Sequence, residues 1–415
     1  MPLKKIITKL MIKLKIFFKK VVKLFIYITS PIFLILIIML SPFVKIRFGL
    51  LSSHRVGEIA LNMEIYLMNQ LLEKKNKSKK IDLFILVDII ANQTYVDLIK
   101  KKVIIITNSI GHPIYKILKF FTKKNNFFNQ FIIDLHDKDY NLSFSKTKSQ
   151  LDVDDSFIKK GNEFLKKLNI RDDAKIICLI VRDNNYLNSK FSNKDWSRHN
   201  HRDCTIANFE MAVNFAIKEG YYVFHMGENM KNYLSIKNKN FIQYAKKYRT
   251  DFLDLYLAYK CEFCITTGTG WDILPGFTFR KPIVWTNALP AGDPISFSHK
   301  FIFSIKLHYD NKKKKFLSLK EIFDLDLSFK FGKKDYDNKN ISLIENKPDE
   351  IKNMTEEMIN YLNNNITYSS EEETDQNKLW ETYEKYFGKR YGKNINSFSR
   401  MSKYFLSKNK FLISV

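Results

Sequence analysis

The chain has 415 residues, 45% hydrophobic and 14% aromatic, which excludes a disordered chain and exceeds what one typical core holds. Its 69 Lys and Arg against 43 Asp and Glu leave a formal charge of +26, which raises nucleic acid as a partner. No RNA- or DNA-binding motif is present, and residues 1–57 hold nine Lys and two Arg with no acidic residue, so the excess is concentrated at one end and argues against nucleic acid.

Residues 4–25 place Ile7, Met11, Leu14, Phe18, Val21 and Phe25 three to four apart among lysines. That spacing predicts a basic amphipathic helix suited to an anionic leaflet. Leu24 to Val44 then carries no charge and is long enough to span a bilayer, although Pro31 and Pro42 interrupt it. The run is too long for a cleaved signal peptide, and no small-x-small site follows. Basic residues on both flanks favour keeping both ends in the cytoplasm. Residues 1–45 are therefore read as an anchor to the cytoplasmic membrane, monotopic or re-entrant at Pro31, with a single pass as the alternative. The rest of the chain is expected in the cytoplasm.

Strands then alternate with helices. Residues 45–52, 83–87 and 103–107 read as strands, and 59–73, 95–101 and 113–123 as helices. A polar stretch at 140–155 reads as a linker. The alternation restarts with strand 176–181, a long polar loop 182–204, helix 206–219 closed by Gly220, strand 221–225 and helix 252–259. The motif Cys264-Ile-Thr-Thr-Gly-Thr-Gly-Trp-Asp-Ile-Leu-Pro-Gly-Phe277 reads as strand, tight turn and short helix, with a further strand at 281–286. Helices at 349–361 and 377–387 form a tail. The fold class is α/β, with two Rossmann-like domains facing a cleft at 46–150 and 151–340, and a helical tail at 341–415.

The chemistry-bearing residues cluster at predicted strand ends, where open α/β sheets bind ligands. Thr266, Thr267, Gly268, Thr269 and Gly270 form a turn whose amides suit an anion. Arg182 and Asp183 follow a strand directly, and Arg202 lies in the loop beyond. A guanidinium fork matches phosphate oxygens. His225 and Gly227 end another strand. His54, Arg55 and Glu58 sit between the first strand and helix, where an acceptor or a general base belongs. Asp152-x-Asp154 and Asp324-x-Asp326 have metal-bridging spacing, but helix capping and solvation account for both. Cys178, Cys204, Cys261 and Cys264 are expected to be free thiols, because Cys261-x-x-Cys264 has no second pair. No Walker loop, dinucleotide fingerprint, zinc motif or nucleophile elbow appears.

Taken in order, several short elements resemble a family of bacterial glycosyltransferases with the two-domain GT-B fold, encoded with surface-polysaccharide genes. They are Phe48-Gly49 through Gly57; Val181-Arg182-Asp183 with Tyr186; Asp195 to His199 and Arg202-Asp203; Gly220 through Gly227; Tyr244-Ala245; Asp251-Phe-Leu-Asp254; and Thr266 through Gly270 with Pro282. The chain departs from the family where Glu58 and His225 stand, at positions more often His and Arg, and in using Thr267-Gly268 for a serine-glycine turn.

The resemblance implies sugar transfer from a nucleotide-sugar donor, without a metal or other cofactor, to a cell-surface glycan or lipid-linked acceptor. It implies donor binding by Arg182, Asp183, Arg202, His225, Gly227 and residues 266–270, and acceptor chemistry near His54, Arg55 or Glu58. The alternatives are a nucleotide-sugar epimerase on the same fold, a catalytically inactive membrane scaffold, and a metal-dependent transferase of the GT-A type.

Overall fold

The computed structural model describes residues 11, 14, 17, 21, 25, 28–73, 79–87, 89–136, 138–139, 141–190, 195–296, 300–391 and 399–414. They divide into two compact units, Met1–Tyr66 with Gln70–Asp137, and Leu67–Asn69 with Lys138–Val415.

The first unit is built on three parallel strands. Strand β1 (Val44–Ser52) pairs along its whole length with β2 (Lys79–Val87), from Val44↔Lys79 to Ser52↔Val87, and β3 (Ile104–Ile106) pairs on the far side of β2. Helix α1 (28–40) precedes β1. Helix α2 (Val56–Leu72) joins β1 to β2, α3 (Gln93–Ile99) precedes β3, and α4 (Asn108–Thr122) follows it. The expected start of α4 at Pro113 lies five residues too late, and Pro113 is buried inside the helix.

Side chains alternate across this sheet. Register partners Arg47 and Asp82 form a bidentate pair at 2.7 and 2.6 Å, and the Tyr66 hydroxyl of α2 also bonds Asp82. The Phe84 ring, two residues on, meets Tyr66 at 4.8 Å. On the opposite face, Phe48 and Ile85 pack with Leu34 and Ile37 of α1, Ile114 and Leu118 of α4, and Phe131.

Most of the expected amphipathic helix at 4–25 lies outside the described residues; positions 11, 14, 17, 21 and 25 are helical. Among the described residues no helix is long and apolar enough to cross a membrane. The expected anchor therefore does not appear there as a spanning helix. Instead, α1 packs one side onto the sheet of the first unit.

In the second unit the expected linker is partly helical. Residues Ser143–Lys146 form α5, and α6 (Asp155–Lys167) begins where the Asp154 side chain accepts the Phe157 amide at 2.9 Å. Capping thus accounts for Asp154. The expected domain boundary at 150 falls inside this unit.

Strand β4 (Ile176–Ile180) leads through α7 (Asn185–Lys190) and α8 (Glu210–Lys218) to β5 (Tyr222–His225) and β6 (Phe241–Ile242). Then come α9 (Tyr244–Lys247), α10 (Asp251–Lys260), β7 (Phe263–Thr266), β8 (Ile283–Ala288) and β9 (Phe301–Ile305). A small antiparallel sheet follows from β10 (Leu307–Asp310), β11 (Lys315–Phe316) and β12 (Ile341–Ile344), with α11 (Leu319–Asp324) and α12 (Lys333–Asp337) between them. Helices α13 (Pro348–Leu362) and α14 (Ser370–Tyr391), strand β13 (Ser399–Met401) and α15 (Lys403–Lys408) complete it.

The main sheet has seven strands in the order β13-β9-β8-β7-β4-β5-β6, and every pairing in it is parallel. Both faces of such a sheet are covered, so its strands read as continuous apolar runs. Ile177, Leu179, Val223, Ile265 and Val284 pack on one face against Val213 and Ala216 of α8 and Met354 and Met358 of α13. All four cysteines are free, and Cys178, Cys261 and Cys264 are buried.

The tail is not purely helical, as had been expected. Strand β13 adds to the edge of the main sheet, and Gln376 of α14 clasps Met401 through both its amide groups, at 2.6 and 3.3 Å. The buried Glu357 carboxylate accepts the Ser402 hydroxyl at 2.6 Å and the Lys403 amide at 3.1 Å.

Candidate functional site

Strand β4 sits centrally in the main sheet. The chain leaves it toward β5 on one side, whereas β7, its other neighbour, leads to β8 on the opposite side. The carboxyl ends of β4 and β7 therefore flank a topological switch point, where open α/β sheets form a ligand crevice.

Arg182 and Asp183 follow β4, and Thr267 and Gly268 follow β7. The two ends are tied directly: the Arg182 amide donates to Thr267 Oγ1 at 2.8 Å. Arg202 reaches the same point from its loop, with Nη2 3.4 Å from the Gly268 carbonyl oxygen and its guanidinium 5.2 Å from the Phe331 ring. The Arg182 guanidinium lies 3.4 Å from Asp203. The structure thus brings Arg182, Arg202, Thr267 and Gly268 together.

The turn itself departs from expectation. Asp272 is half-buried, and its carboxylate accepts the Gly270 amide at 2.8 Å, the Thr269 amide at 3.3 Å and the Thr266 hydroxyl at 2.8 Å. The Gly268 amide donates to Thr266 Oγ1 at 3.0 Å. These amides already have acceptors, so they do not form an open anion cradle. Only a short π turn (Leu274–Thr278) follows, in place of the expected short helix. Thr269 Oγ1 is buried and makes no hydrogen bond among the described residues. Gly268 and Gly270 hold φ of +77° and +95°, a region that favours glycine.

His225 does not face the crevice either. It is fully buried, its ring 6.1 Å from Phe241 and 5.8 Å from Tyr233, and burial pushes it down to about 4, so it is neutral near pH 7. It is a core residue, because β6 covers it on the outer side of β5. Gly227 follows with φ of +139°. Asp183 is a clip: its carboxylate accepts the amides of Asn185 at 3.0 Å and Lys231 at 2.7 Å.

Four residues that the sequence reading passed over shape this edge. Asp272 organises the turn. Lys306, directly after β9, is buried and donates to the carbonyl oxygens of His201 at 3.0 Å and Asp203 at 2.7 Å, which pins the 197–203 segment. Asn287, near the end of β8, and Asn346 exchange amide-to-side-chain bonds at 2.6 and 2.7 Å. The signal for Lys306 was present: a lysine ending an apolar strand, as Arg182 does.

The local field is positive. Burial, then Arg202, Lys306, His199 and Arg182, pushes His201 down to about 4. Burial pushes Asp203 up to about 6. A cleft edge with this balance attracts anions.

No family model matches the chain, and no curated relative does. Among solved structures, the chain is similar to the glycosyl transferase family 9 protein from Veillonella parvula DSM 2008, with 11% identity and a TM-score of 0.44, over 75% of this chain and 97% of that one. It is also similar to the E. coli ADP-heptose lps heptosyltransferase II, with 13% identity and a TM-score of 0.36, over 62% of this chain and 90% of that one.

Around β5 a second charged group is structural. Arg249 bridges Glu228 at 3.1 Å and Asp254 at 3.1 Å, Lys190 reaches Glu228 at 3.3 Å, and the Tyr244 hydroxyl donates to Asp254 at 2.8 Å. In the first unit, His54 Nδ1 lies 2.8 Å from Ser52 Oγ, Arg55 is half-buried, and Glu58 is exposed in the first turn of α2, where a carboxylate favours the helix dipole. Among the described residues no group of three or more His, Cys, Asp or Glu side chains is placed to hold a metal ion.

Proposed function

We propose that this chain is a glycosyltransferase that moves a sugar from a nucleotide-sugar donor to a cell-surface glycan or lipid-linked acceptor at the cytoplasmic face of a membrane. The observation that carries the reading is the Arg182–Thr267 tie at the switch point, with Arg202 held against Gly268.

The second unit takes the donor. Arg202 and Arg182 counter the charge that builds on the leaving nucleoside diphosphate, and the Thr269 hydroxyl donates to a phosphate oxygen. The turn amides, already bonded to Asp272 and Thr266, position these groups. Preorganised charge of this kind is usually the largest catalytic term. The bond from the sugar to the diphosphate oxygen breaks, the acceptor oxygen takes the sugar, and its proton leaves to a base. The acceptor belongs to the first unit, near His54, Arg55 or Glu58, and no metal takes part.

The test is a thermal-shift screen with UDP, GDP, CMP, dTDP and ADP, with and without chelator. A ligand that binds only the folded state raises the Tm. One nucleotide should stabilise the protein regardless of chelator, and Arg202→Ala should abolish that shift. No shift with any nucleotide would overturn the reading in favour of a scaffold. A shift lost with chelator would point to a metal-dependent transferase. Nucleotide binding without transfer to any acceptor would point to an epimerase.

A further inference from the structure

A helix at a protein surface normally buries an apolar stripe and shows water a polar face. Helix α1 does not. Ser30, Leu34 and Ile37 face the sheet, the last two 6% and 7% exposed. The outer side carries Ile28, Ile32, Ile35, Leu36 and Met39, with Phe43 just beyond; Ile28 and Met39 are each 67% exposed. Residues 28–40 contain no charged side chain. Six large apolar groups left in water on one surface are far more than scattered exposure explains.

A second patch stands on the same side of the sheet. Helix α4 shares the core of α1 through Ile114 and Leu118. Beyond that core it exposes Phe120, and the segment after it exposes Phe127. These belong to a chain of rings: Phe120 to Phe121 at 5.6 Å, Phe121 to Phe128 at 5.0 Å and Phe127 to Phe128 at 5.5 Å. Lys116, Lys119, Lys123 and Lys124 are exposed around them, and Lys124 Nζ lies 4.7 Å from the Phe120 ring centre. Residues 108–130 contain no acidic residue.

We propose that this face of the first unit is a lipid-docking surface, with α1 lying in the plane of an anionic leaflet and Phe120 and Phe127 entering beside it. The inference rests on the membrane part of the proposed function and is independent of the sugar-transfer part. The two halves of the surface match the two halves of such a leaflet. Aliphatic and aromatic groups enter the acyl boundary, and lysines at the rim meet anionic headgroups. A protein partner would be expected to match a polar rim containing both signs of charge, whereas residues 108–130 supply lysines and no acid to this face.

The test uses the full chain and sedimentation with phosphatidylcholine vesicles, with and without phosphatidylglycerol. Binding should require the anionic lipid and weaken with salt. Phe120→Ser with Phe127→Ser should lower the partition coefficient by at least about tenfold. Ile32→Asp with Met39→Asp should do the same. Ile32 and Met39 are 61% and 67% exposed, so that double variant should keep its Tm; Phe127 also meets Phe128 and Phe131, so the phenylalanine pair is compared below its own measured Tm. An Ile32→Trp variant should be quenched by brominated lipid. Equal binding to neutral vesicles, or unchanged binding by both double variants, would overturn the proposal. So would self-association that the same variants abolish, which would make a second copy the occupant. Nucleotide stabilisation, measured on the same variants, should be retained; its absence in the wild type would remove sugar transfer and leave lipid docking standing.

Discussion

The Asp272 carboxylate accepts the Gly270 amide at 2.8 Å, which makes a half-buried acid the organiser of the turn after β7. Three donors depend on it: the amides of Gly270 and Thr269 and the Thr266 hydroxyl. Removing it leaves three partly buried donors without that acceptor. Asp272→Ala should destabilise the protein by about 2–4 kcal/mol, from the desolvation of unmade hydrogen bonds. Asp272→Asn keeps one acceptor oxygen and should lose less. Urea unfolding measures both, and equal losses would mean that the charge rather than the oxygens holds the turn.

Arg202 Nη2 lies 3.4 Å from the Gly268 carbonyl oxygen, and its guanidinium lies 5.2 Å from the Phe331 ring. Arg202→Ala should lower kcat by about 100-fold or more, the scale of losing one preorganised charge at a developing anion. Arg202→Lys should recover part of it, because a point charge replaces a fork. Near-normal turnover in Arg202→Ala would remove this residue from the site.

His225 and His308 give the protein an acid-sensitive core. Both are fully buried, and burial pushes each down to about 4 from an ordinary 6.5. Their folded values lie below the unfolded ones. The stability of the neutral rings is thus complete above pH 6.5 and is lost as pH falls through about 4. Each contributes at most about 3 kcal/mol. Asp254 has the opposite sign: burial raises it to about 7, so its contribution is lost as pH rises through that value. His308→Asn, which can keep the bond to the Lys306 carbonyl oxygen now made at 2.9 Å by Nδ1, should flatten the fall in Tm between pH 6.5 and 4. An unchanged pH profile would count against a neutral buried ring.

Gly161 on α6 packs against α10 so closely that a Cβ there would lie 1.9 Å from the Tyr256 ring. The ring is also held by its hydroxyl, which donates to Asn162 at 2.6 Å, so it has little freedom to retreat. Gly161→Ala should destabilise by about 1–3 kcal/mol through overpacking. A helix-interior Gly→Ala change otherwise stabilises, so a raised Tm would show that the interface yields.

Much of the fold was legible because its signals are local. Apolar runs at 45–52, 176–181 and 281–286 lie within two residues of β1, β4 and β8, and Thr250 caps α10 just before the expected helix. Beyond residue 300 the reading thinned. Strands β9 and β13 were missed, since β13 has three residues and pairs with a strand about a hundred positions earlier. The loop at 182–204 was read as structureless, although it holds α7 and a 3-10 turn at Ser197–Arg202.

The candidate site divides in the same way. That Arg182, Thr267 and Gly268 end parallel strands at one edge of the sheet was implied by the alternation of strands and helices, because a right-handed crossover returns each strand end to that edge; that the two strands are neighbours was not. Whether their polar groups are open or spent was not. His225 was buried by Phe241 and Tyr233, the turn amides were taken by Asp272 and Thr266, and Lys306 was aimed at two carbonyl oxygens of a distant loop.

The sequence by itself determined the α/β class, the strand ends where chemistry can gather, and an N-terminal region too apolar to be an ordinary surface. These depend on side-chain periodicity and charge along the chain. The tertiary structure alone decided which donors remain available, which histidines stay neutral and which side of α1 is left in water. Those properties depend on hydrogen-bond partners and burial supplied by residues far away in sequence.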